Sequence, residues 1–156
     1  MPRILGLDFG TKRVGAAISD PRRSIASPLE VHQRRDAAQD ARHYQELARE
    51  HEVERIVIGL PVHTAGRVGA SASLARTWGD WLGSVTGIPV VYFDERYTTV
   101  EAEQSLIAAG LKRSKRKGLR DMLAARILLQ NYLDDGSPET PDPAGPLQDT
   151  FPDDDD

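Results

Sequence analysis

The 156-residue chain contains no cysteine, and only 6% of its residues are aromatic. The lack of cysteine excludes a disulfide framework and a thiolate metal site. No apolar run approaches the roughly 20 residues that are needed to cross a bilayer. The charged residues Arg3 and Asp8 interrupt the few apolar residues at the N-terminus, so we expect no secretory signal segment. We therefore expect a cytoplasmic protein whose length suits one domain with a substantial core.

The net charge of −4 conceals two regions of opposite sign. Residues 134–156 hold nine acidic and no basic side chains, are rich in proline and end in PDDDD, which is typical of a disordered tail. With those nine of the 24 acids set aside, 20 basic side chains stand against 15 acidic ones, so the body carries about +5. We predict a folded domain over residues 1–133 and an acidic tail over residues 134–156.

The basic excess is densest in the segment LKRSKRKGLR, which contains no acid. Basic clusters of this kind favour binding to polyanions, nucleic acid above all. Taken alone, the segment is explained better as a solvated loop. In a basic body it predicts a loop that contacts phosphates and makes binding strongly dependent on salt. Its candidate phosphate contacts are Lys112, Arg113, Lys115, Arg116 and Lys117.

Three extended stretches open the chain, and the spacings between them are too short for helices. They are RILGLD, VGAAISD and the weaker SIASPLEVH, and together they predict an antiparallel meander. A helical pattern follows over residues 36–52, and the apolar strand ERIVIGLP comes next.

The second half of the chain alternates helix and strand. It contains a helix over residues 70–85, the strand GIPVVYFDER, a helix over 98–110, the basic loop and a last helix over 118–133. The resulting order, βββαβαβα, predicts an α/β protein with an RNase H-like fold. In that fold a mixed five-stranded sheet, of three antiparallel strands and then alternating helix and strand, is flanked by helices.

Acidic residues stand at the ends of two predicted strands. Asp8 ends the first strand, and Asp94 and Glu95 follow the apolar run PVVYF. In sheets of this class, ligands collect beyond the carboxyl ends of the strands. A desolvated carboxylate at the end of an apolar strand is costly unless it has a partner. These positions therefore predict a site that uses carboxylates.

A third acid, Asp121, lies on the apolar stripe of the last helix, whose other members are Ala124, Ala125, Leu128 and Tyr132. The two alanines would let the helix pack close to the sheet and bring Asp121 towards Asp8. Converging carboxylates repel one another unless a cation joins them. Oxygen ligands suit Mg²⁺ or Mn²⁺, and a pair of such ions can support cleavage of a phosphodiester bond.

Each acid also has a purely structural explanation. Asp8 could pair with Lys12 or Arg13 across the turn. Asp94 or Glu95 could pair with Arg96 next to them in the chain. Asp121 could be an acid near the N-terminus of its helix, where the helix dipole favours negative charge.

The segment LDFGTKRVG also resembles the phosphate loop of the actin, Hsp70 and sugar-kinase ATPases. The backbone N–H groups of such a turn can contact nucleotide phosphates. Those ATPases hold the nucleotide between two domains, whereas this chain has room for one. A Walker loop is absent as well. We therefore rank ATP binding below nuclease chemistry.

Four segments, in order, resemble the motifs of the YqgF/RuvX family, RNase H-like proteins related to the RuvC resolvases. They are GLDFGTKRVGAAISD, IVIGLP, DERYTTVEAE and RDMLAARILLQNYL, and the resemblance spans residues 3–133. It implies that Asp8, Glu95 and Asp121 are the catalytic and metal-binding acids, and it favours Glu95 over Asp94. It also implies a bound Mg²⁺ or Mn²⁺.

The resemblance places Lys12, Arg13 and Arg96 beside the acids as phosphate contacts, and their reading as charge partners of the acids is equally good. It implies a cytoplasmic, ribosome-associated nuclease that processes the 5′ end of precursor 16S ribosomal RNA. A DNA endonuclease of the Holliday junction type and a non-catalytic RNA- or ribosome-binding factor are the alternatives. A resolvase would need a homodimer, whereas a monomer would favour RNA processing.

Overall fold

The computed structural model describes residues 2–60, 70–94 and 113–139. These residues form five strands and three helices, in the order β1 (Arg3–Phe9), β2 (Arg13–Ser19), β3 (Ala26–Gln33), α1 (Ala37–Glu50), β4 (Val53–Leu60), α2 (Ala70–Thr86), β5 (Val90–Asp94) and α3 (Arg113–Asp134). The helix predicted over residues 98–110 lies outside the described residues.

The strands form one mixed sheet in the order β3-β2-β1-β4-β5. The first three strands pair antiparallel, as short turns permit, and β1, β4 and β5 pair parallel. Parallel neighbouring strands need a crossover connection, and α2 forms part of the crossover between β4 and β5. The predicted α/β class and the mixed five-stranded sheet are confirmed.

Both faces of the sheet are covered, because its central strands are apolar on both sides. In β1, Leu5 and Leu7 join the core beneath α1 and α2, whereas Ile4 joins a second core beneath α3. All three side chains are fully buried. Because side chains alternate along a strand, every β1 side chain projects either towards α1 and α2 or towards α3. We call these two sides of the sheet the α1/α2 face and the α3 face.

The helices begin and pack for local reasons. Asp36 caps α1, because its carboxylate accepts a hydrogen bond of 2.8 Å from the backbone N–H of Gln39. The apolar stripe of α1 is buried at Tyr44, Leu47 and Ala48. None of the three helices in the described ranges combines the length and the apolar character of a membrane span.

The basic segment 113–117 is helical and not a loop, so that prediction was wrong. Helix α3 begins at Arg113, five residues before the predicted start at Gly118. Arginine, serine and lysine tolerate or favour helix, and a single glycine does not end one. As a result Asp121 lies two turns inside α3. Its alternative explanation, as an acid of the first helical turn, no longer applies.

The chain continues in contact with the body after α3. Gly136 adopts a φ of +92° and Ser137 donates its N–H to the carbonyl of Tyr132, which closes the helix end. Arg55 then donates to the carbonyl of Ser137 at 3.0 Å. The part of the predicted tail over 134–139 is therefore fastened to β4, and residues 140–156 lie outside the described residues.

The outer strand β3 is irregular at its middle. Pro28 lies opposite Ala17, and the pairing register shifts between Ala16 and Ala17. Proline has no N–H to donate to a ladder, and is therefore confined to the edges and bulges of sheets. Strand β3 accommodates it because the sheet ends there.

The loop between β2 and β3 depends on one carboxylate. Asp20 accepts hydrogen bonds from the backbone N–H groups of Ser24 and Ile25, at 2.8 and 3.0 Å, and from the Ser24 hydroxyl. These hydrogen bonds, led by those from the Ile25 and Ser24 backbone, lower the pKa of Asp20 from 3.8 to about 2. The ionised form is thus the one that the folded loop favours.

We predict that Asp20→Asn lowers stability most above pH 4. Because the pKa of Asp20 is depressed in the fold, its contribution is complete above 3.8 and is lost as the pH falls towards about 2. Urea midpoints of wild type and variant should therefore differ at pH 6 and converge near pH 2. A difference that grows as the pH falls would contradict this.

Candidate active site at the end of β1

Asp8 lies on the α3 face of the sheet, next to the end of β1. Because side chains alternate along a strand, Asp8 projects to the same face as Ile4 and Gly6, and its side chain is half-buried. Its cross-strand partner in β2 is Gly15. Directly opposed residues of an antiparallel pair project to the same face, about 5 Å apart. Whatever packs over Gly15 therefore lies beside Asp8.

The residue that packs over Gly15 is Asp121. A Cβ atom placed on Gly15 would lie 2.0 Å from the backbone oxygen of Asp121, which is far inside contact distance. A Cβ on Gly6 would likewise lie 2.8 Å from Leu129 of the same helix. The two glycines let α3 lie against the backbone of the sheet. The backbone of Asp121 therefore lies over the strand pair that carries Asp8.

Arg13 fixes the carboxylate of Asp121. Its Nε donates to Oδ2 at 2.7 Å, and the two side chains are 21% and 18% exposed. Arg120 Nε lies 4.0 Å from the other oxygen. Charge-assisted hydrogen bonds of this kind are among the stronger ones in proteins. Lys12 and Arg13 are the predicted partners of Asp8. In the structure Arg13 is bound to Asp121, and Lys12 is exposed in the turn between β1 and β2.

Asp94 projects from the opposite face of the sheet. In β5, Val91 and Phe93 contact the core beneath α3, and Tyr92 belongs to the core beneath α1 and α2. Because side chains alternate along a strand, Asp94 projects to the same face as Tyr92, which is opposite to the face of Asp8. Its β4 neighbour is Leu60, so it does lie at the same end of the sheet.

Several predicted site residues lie outside the described part of the chain, namely Glu95, Arg96 and Lys112. The backbone of Arg113, Lys115, Arg116 and Lys117 belongs to the start of α3, and their side chains are not described. Their predicted roles stay predictions.

The donor set at the end of β1 fits a hard divalent cation. Asp8 and Asp121 offer carboxylate oxygens from a strand and from a helix packed directly on it, and neither side chain is fully buried. Magnesium prefers such oxygen ligands and keeps several of its waters, so it needs only one or two protein carboxylates. The partial exposure of both side chains is compatible with bound waters and a phosphate at these carboxylates.

A second cluster of metal-ligand residue types, which is absent from the sequence-based predictions, lies on the α1/α2 face. Ligand atoms of Glu30, His32 and His43 lie within 4.8 Å of one another. His32 contacts Asp40 and His43 contacts Glu30, at 2.8 and 2.6 Å. The imidazole rings are stacked, 3.9 Å apart and 9° from parallel. The spacings E-V-H on a strand and D-A-R-H on a helix were the available signal.

The stack is poorly arranged for a single ion. The lone pair of an imidazole nitrogen lies in the ring plane, so two parallel rings cannot both aim at one ion between them. In the observed arrangement the two pairs join β3 to α1. Burial raises the pKa of nearby Tyr44, and the charges of Glu30 and Asp40 raise it further, so its hydroxyl stays protonated.

Residues 2–135 match the model of the family described as RuvX: Holliday junction resolvase. A protein of Heliobacterium modesticaldum named "Putative pre-16S rRNA nuclease" is 46% identical over 132 residues, which are 85% of this chain and 89% of the relative. A protein of Streptococcus equi subsp. equi with the same name is 45% identical over 135 residues, 85% of this chain and 97% of the relative.

Two solved structures share the fold at low identity. One is Thermus thermophilus RuvC in complex with a Holliday junction substrate, with a TM-score of 0.55 and 16% identity over 90% of this chain and 99% of that chain. The other is a Fowlpox virus resolvase complexed with Holliday junction DNA, with a TM-score of 0.52 and 10% identity over 85% and 97% of the two chains. The predicted RNase H-like, RuvC-related fold is confirmed.

We predict that Gly15→Ala loosens α3 from the sheet. The added Cβ must displace the helix backbone at Asp121, and overpacking of this kind costs about 1–3 kcal/mol or more. Amide hydrogen exchange should become faster in residues 121–133 and stay unchanged in α1.

Gly87→Ala is the matched control. Gly87 has a φ of +72° with no atom within 4 Å of an added Cβ, so alanine there costs about 1 kcal/mol through backbone strain alone. Exchange in α3 should then follow the global loss of stability only. Equal local effects of the two variants would contradict the proposed packing role of Gly15.

Proposed function

Because the chain belongs to the RuvX family, we propose that it is a metal-dependent endonuclease that hydrolyses phosphodiester bonds in structured RNA. Its substrate in this proposal is the 5′ region of precursor 16S ribosomal RNA. The names of the relatives support that substrate. The RuvC-like fold supports nuclease chemistry of the hydrolase class.

One observation carries the proposal. The backbone of Asp121 packs over Gly15, the cross-strand partner of Asp8, so two acidic residues from distant parts of the chain lie on one face of the sheet. Concentrating negative charge beside a phosphate backbone opposes binding unless a cation is present. A protein that only bound RNA would gain nothing from this arrangement.

In this proposal Asp8 and Asp121 hold Mg²⁺ or Mn²⁺ and Glu95 completes the site. Asp94 projects to the face of Tyr92, which is opposite to the face of Asp8, and this argues against Asp94 as the ligand. When bound, the metal supplies an activated water and stabilises the leaving oxygen, and two ions can share these tasks.

Arg13 has a positioning role in the proposal. It holds Asp121 by the 2.7 Å hydrogen bond and so fixes one carboxylate before substrate arrives. Preorganised charge of this kind need not be rearranged during the reaction. Lys12 in the exposed β1–β2 turn, and Arg96, are proposed to contact the phosphates that flank the reacting one.

We expect Asp8→Asn and Asp121→Asn to lower cleavage of a 16S precursor fragment at least about 100-fold in Mg²⁺ or Mn²⁺, since each removes a charged metal ligand. Affinity for the RNA should be kept or increased, because a negative charge is lost. Cleavage and filter binding on the same RNA check both.

Asp135→Asn, an exposed acid one residue after α3, is the charge-matched control and should cleave like wild type. Full activity in Asp8→Asn would place the chemistry elsewhere. No cleavage by wild type, with tight binding, would indicate a binding factor.

Junction resolution is the second candidate function. The family description and the two junction-bound structures favour it. Phosphate contacts alone do not separate RNA from DNA. Cleavage of a four-way DNA junction in the same assay and the mass of the protein in solution together distinguish junction resolution from RNA processing. The mass is informative because symmetric cutting of two strands needs a dimer.

The basic start of α3 is proposed to contact phosphates. The segment from Lys112 to Lys117 holds five bases, and four of them, Arg113, Lys115, Arg116 and Lys117, lie on the same helix as Asp121. A phosphate backbone bound at the metal site would therefore run past a positive segment.

We predict that Lys115→Ala combined with Arg116→Ala lowers the slope of log affinity against log salt by about 1.5, since each phosphate contact contributes about 0.7–0.9. Arg42→Ala combined with Arg49→Ala, on exposed positions of α1, is the matched control and should leave the slope unchanged. Equal slopes for the two double variants would remove the α3 segment from the interface.

A further inference from the structure

A cavity of about 430 Å³ lies on the α1/α2 face, between α2 and the β1–β2 turn. Its lining is mostly apolar and includes Phe9, Leu74, Trp78 and Trp81, with Arg34 and Arg35 also contributing. We call this cavity the aromatic pocket. The metal site uses none of these side chains.

The aromatic pocket adjoins the proposed active site. Phe9 follows Asp8 in β1, so the two side chains lie on opposite faces of the same strand end. Thr11, in the turn that connects β1 to β2, also lines the pocket. A nucleic-acid strand that passes Asp8 therefore needs only to cross this turn to reach the pocket.

The walls of the pocket are held rigidly. The rings of Phe9 and Trp78 are 5.0 Å apart, and those of Trp78 and Trp81 are 6.3 Å apart. Trp78 is 7% exposed and packs edge-on against Tyr44 beneath it. A fixed aromatic surface of this kind suits stacking by a flat ligand, since little ordering is needed on binding.

Two arginines supply positive charge to the pocket. Arg34 lies over the Phe9 ring at 4.8 Å, and its Nη1 donates to the carbonyl of Thr11 at 2.9 Å. Arg35 donates its backbone N–H to Asp40, which also accepts from His32, so the acid among the described lining residues is already paired. Stacking surface beside positive charge suits a nucleotide and not a lipid or an apolar peptide.

We propose that the aromatic pocket binds the base of an unpaired nucleotide beside the phosphate that is cleaved. The inference rests on the proposed nuclease function, since it assigns the substrate a single-stranded nucleotide at the cleavage site. The base stacks on the partly exposed ring of Trp81 beside Trp78, and Arg34 and Arg35 contact its phosphate. The pocket thus selects RNA in which a base can leave the helical stack.

The two tryptophans make the pocket directly observable. The chain contains only two, Trp78 and Trp81, and both line the pocket. Tryptophan emission of the full chain should be quenched by a short single-stranded oligoadenylate. It should not change with an oligonucleotide of the same length whose sugars carry no base. Both titrations are done with a chelator present, so that cleavage is not required.

Leu74→Glu tests the pocket without touching the core. Leu74 is 53% exposed at the pocket, so glutamate there repels the nucleotide and removes apolar contact. We expect about 5- to 100-fold weaker binding of the oligoadenylate, as for the loss of one stacked base. Ile25→Glu is the matched control, since Ile25 is 60% exposed and does not line the pocket, and its affinity should equal that of wild type.

The outcomes separate the two proposals. Quenching by the base-bearing oligonucleotide alone, weakened in Leu74→Glu, supports the pocket even if no RNA is cleaved. Cleavage of precursor RNA without quenching, or equal affinities of the Leu74 and Ile25 variants, overturns the pocket and leaves the nuclease proposal intact. Quenching by an apolar peptide and not by the oligonucleotide would overturn it in favour of a protein partner.

Discussion

The close contact between α3 and the sheet governs the arrangement of the candidate site. It exists because Gly6 and Gly15 present bare backbone to the helix, so that Leu129 and Asp121 can approach further than any side chain would allow. The buried Ala124 and Ala125 contribute small surfaces from the helix side. An acid from the last helix thereby reaches an acid from the first strand, although more than a hundred residues separate them in the chain.

That approach has an electrostatic consequence. Bringing Asp121 beside Asp8 is unfavourable unless positive charge accompanies them. Arg13 supplies part of it through a partly buried ion pair, and a divalent cation would supply more. The same end of the sheet carries the aromatic pocket on its other face, so β1 separates a charged surface from a stacking surface. A substrate that is both anionic and aromatic matches this division.

The fold could be predicted from the sequence because its signals are local. Apolar runs such as IVIGL and the short turns between the first three strands predict a mixed sheet without any knowledge of contacts. That Asp121 faces the sheet was also predictable, since it shares the apolar stripe of its helix. The contributions of Gly6 and Gly15 were not, because a close approach depends on which helix crosses which strand.

Other features were hidden for different reasons. Trp78 and Trp81, three residues apart in α2, read as ordinary core, and only the packing of Phe9 and Arg34 makes a cavity beside them. The predicted start of α3 is five residues late, because Gly118 resembles a helix boundary whereas the helix runs through it from Arg113. The stacked histidines come from two elements whose pairing no local pattern encodes.

Pro28 in β3 has a consequence for assembly. An open sheet edge invites a second copy to add its own strand, and a proline with a local register shift makes that edge a poor template. The opposite edge of the described sheet is the five-residue β5, which offers only a short template. Two copies that act together on one nucleic acid would therefore have to associate through helices or loops, and joining their sheets into one is disfavoured.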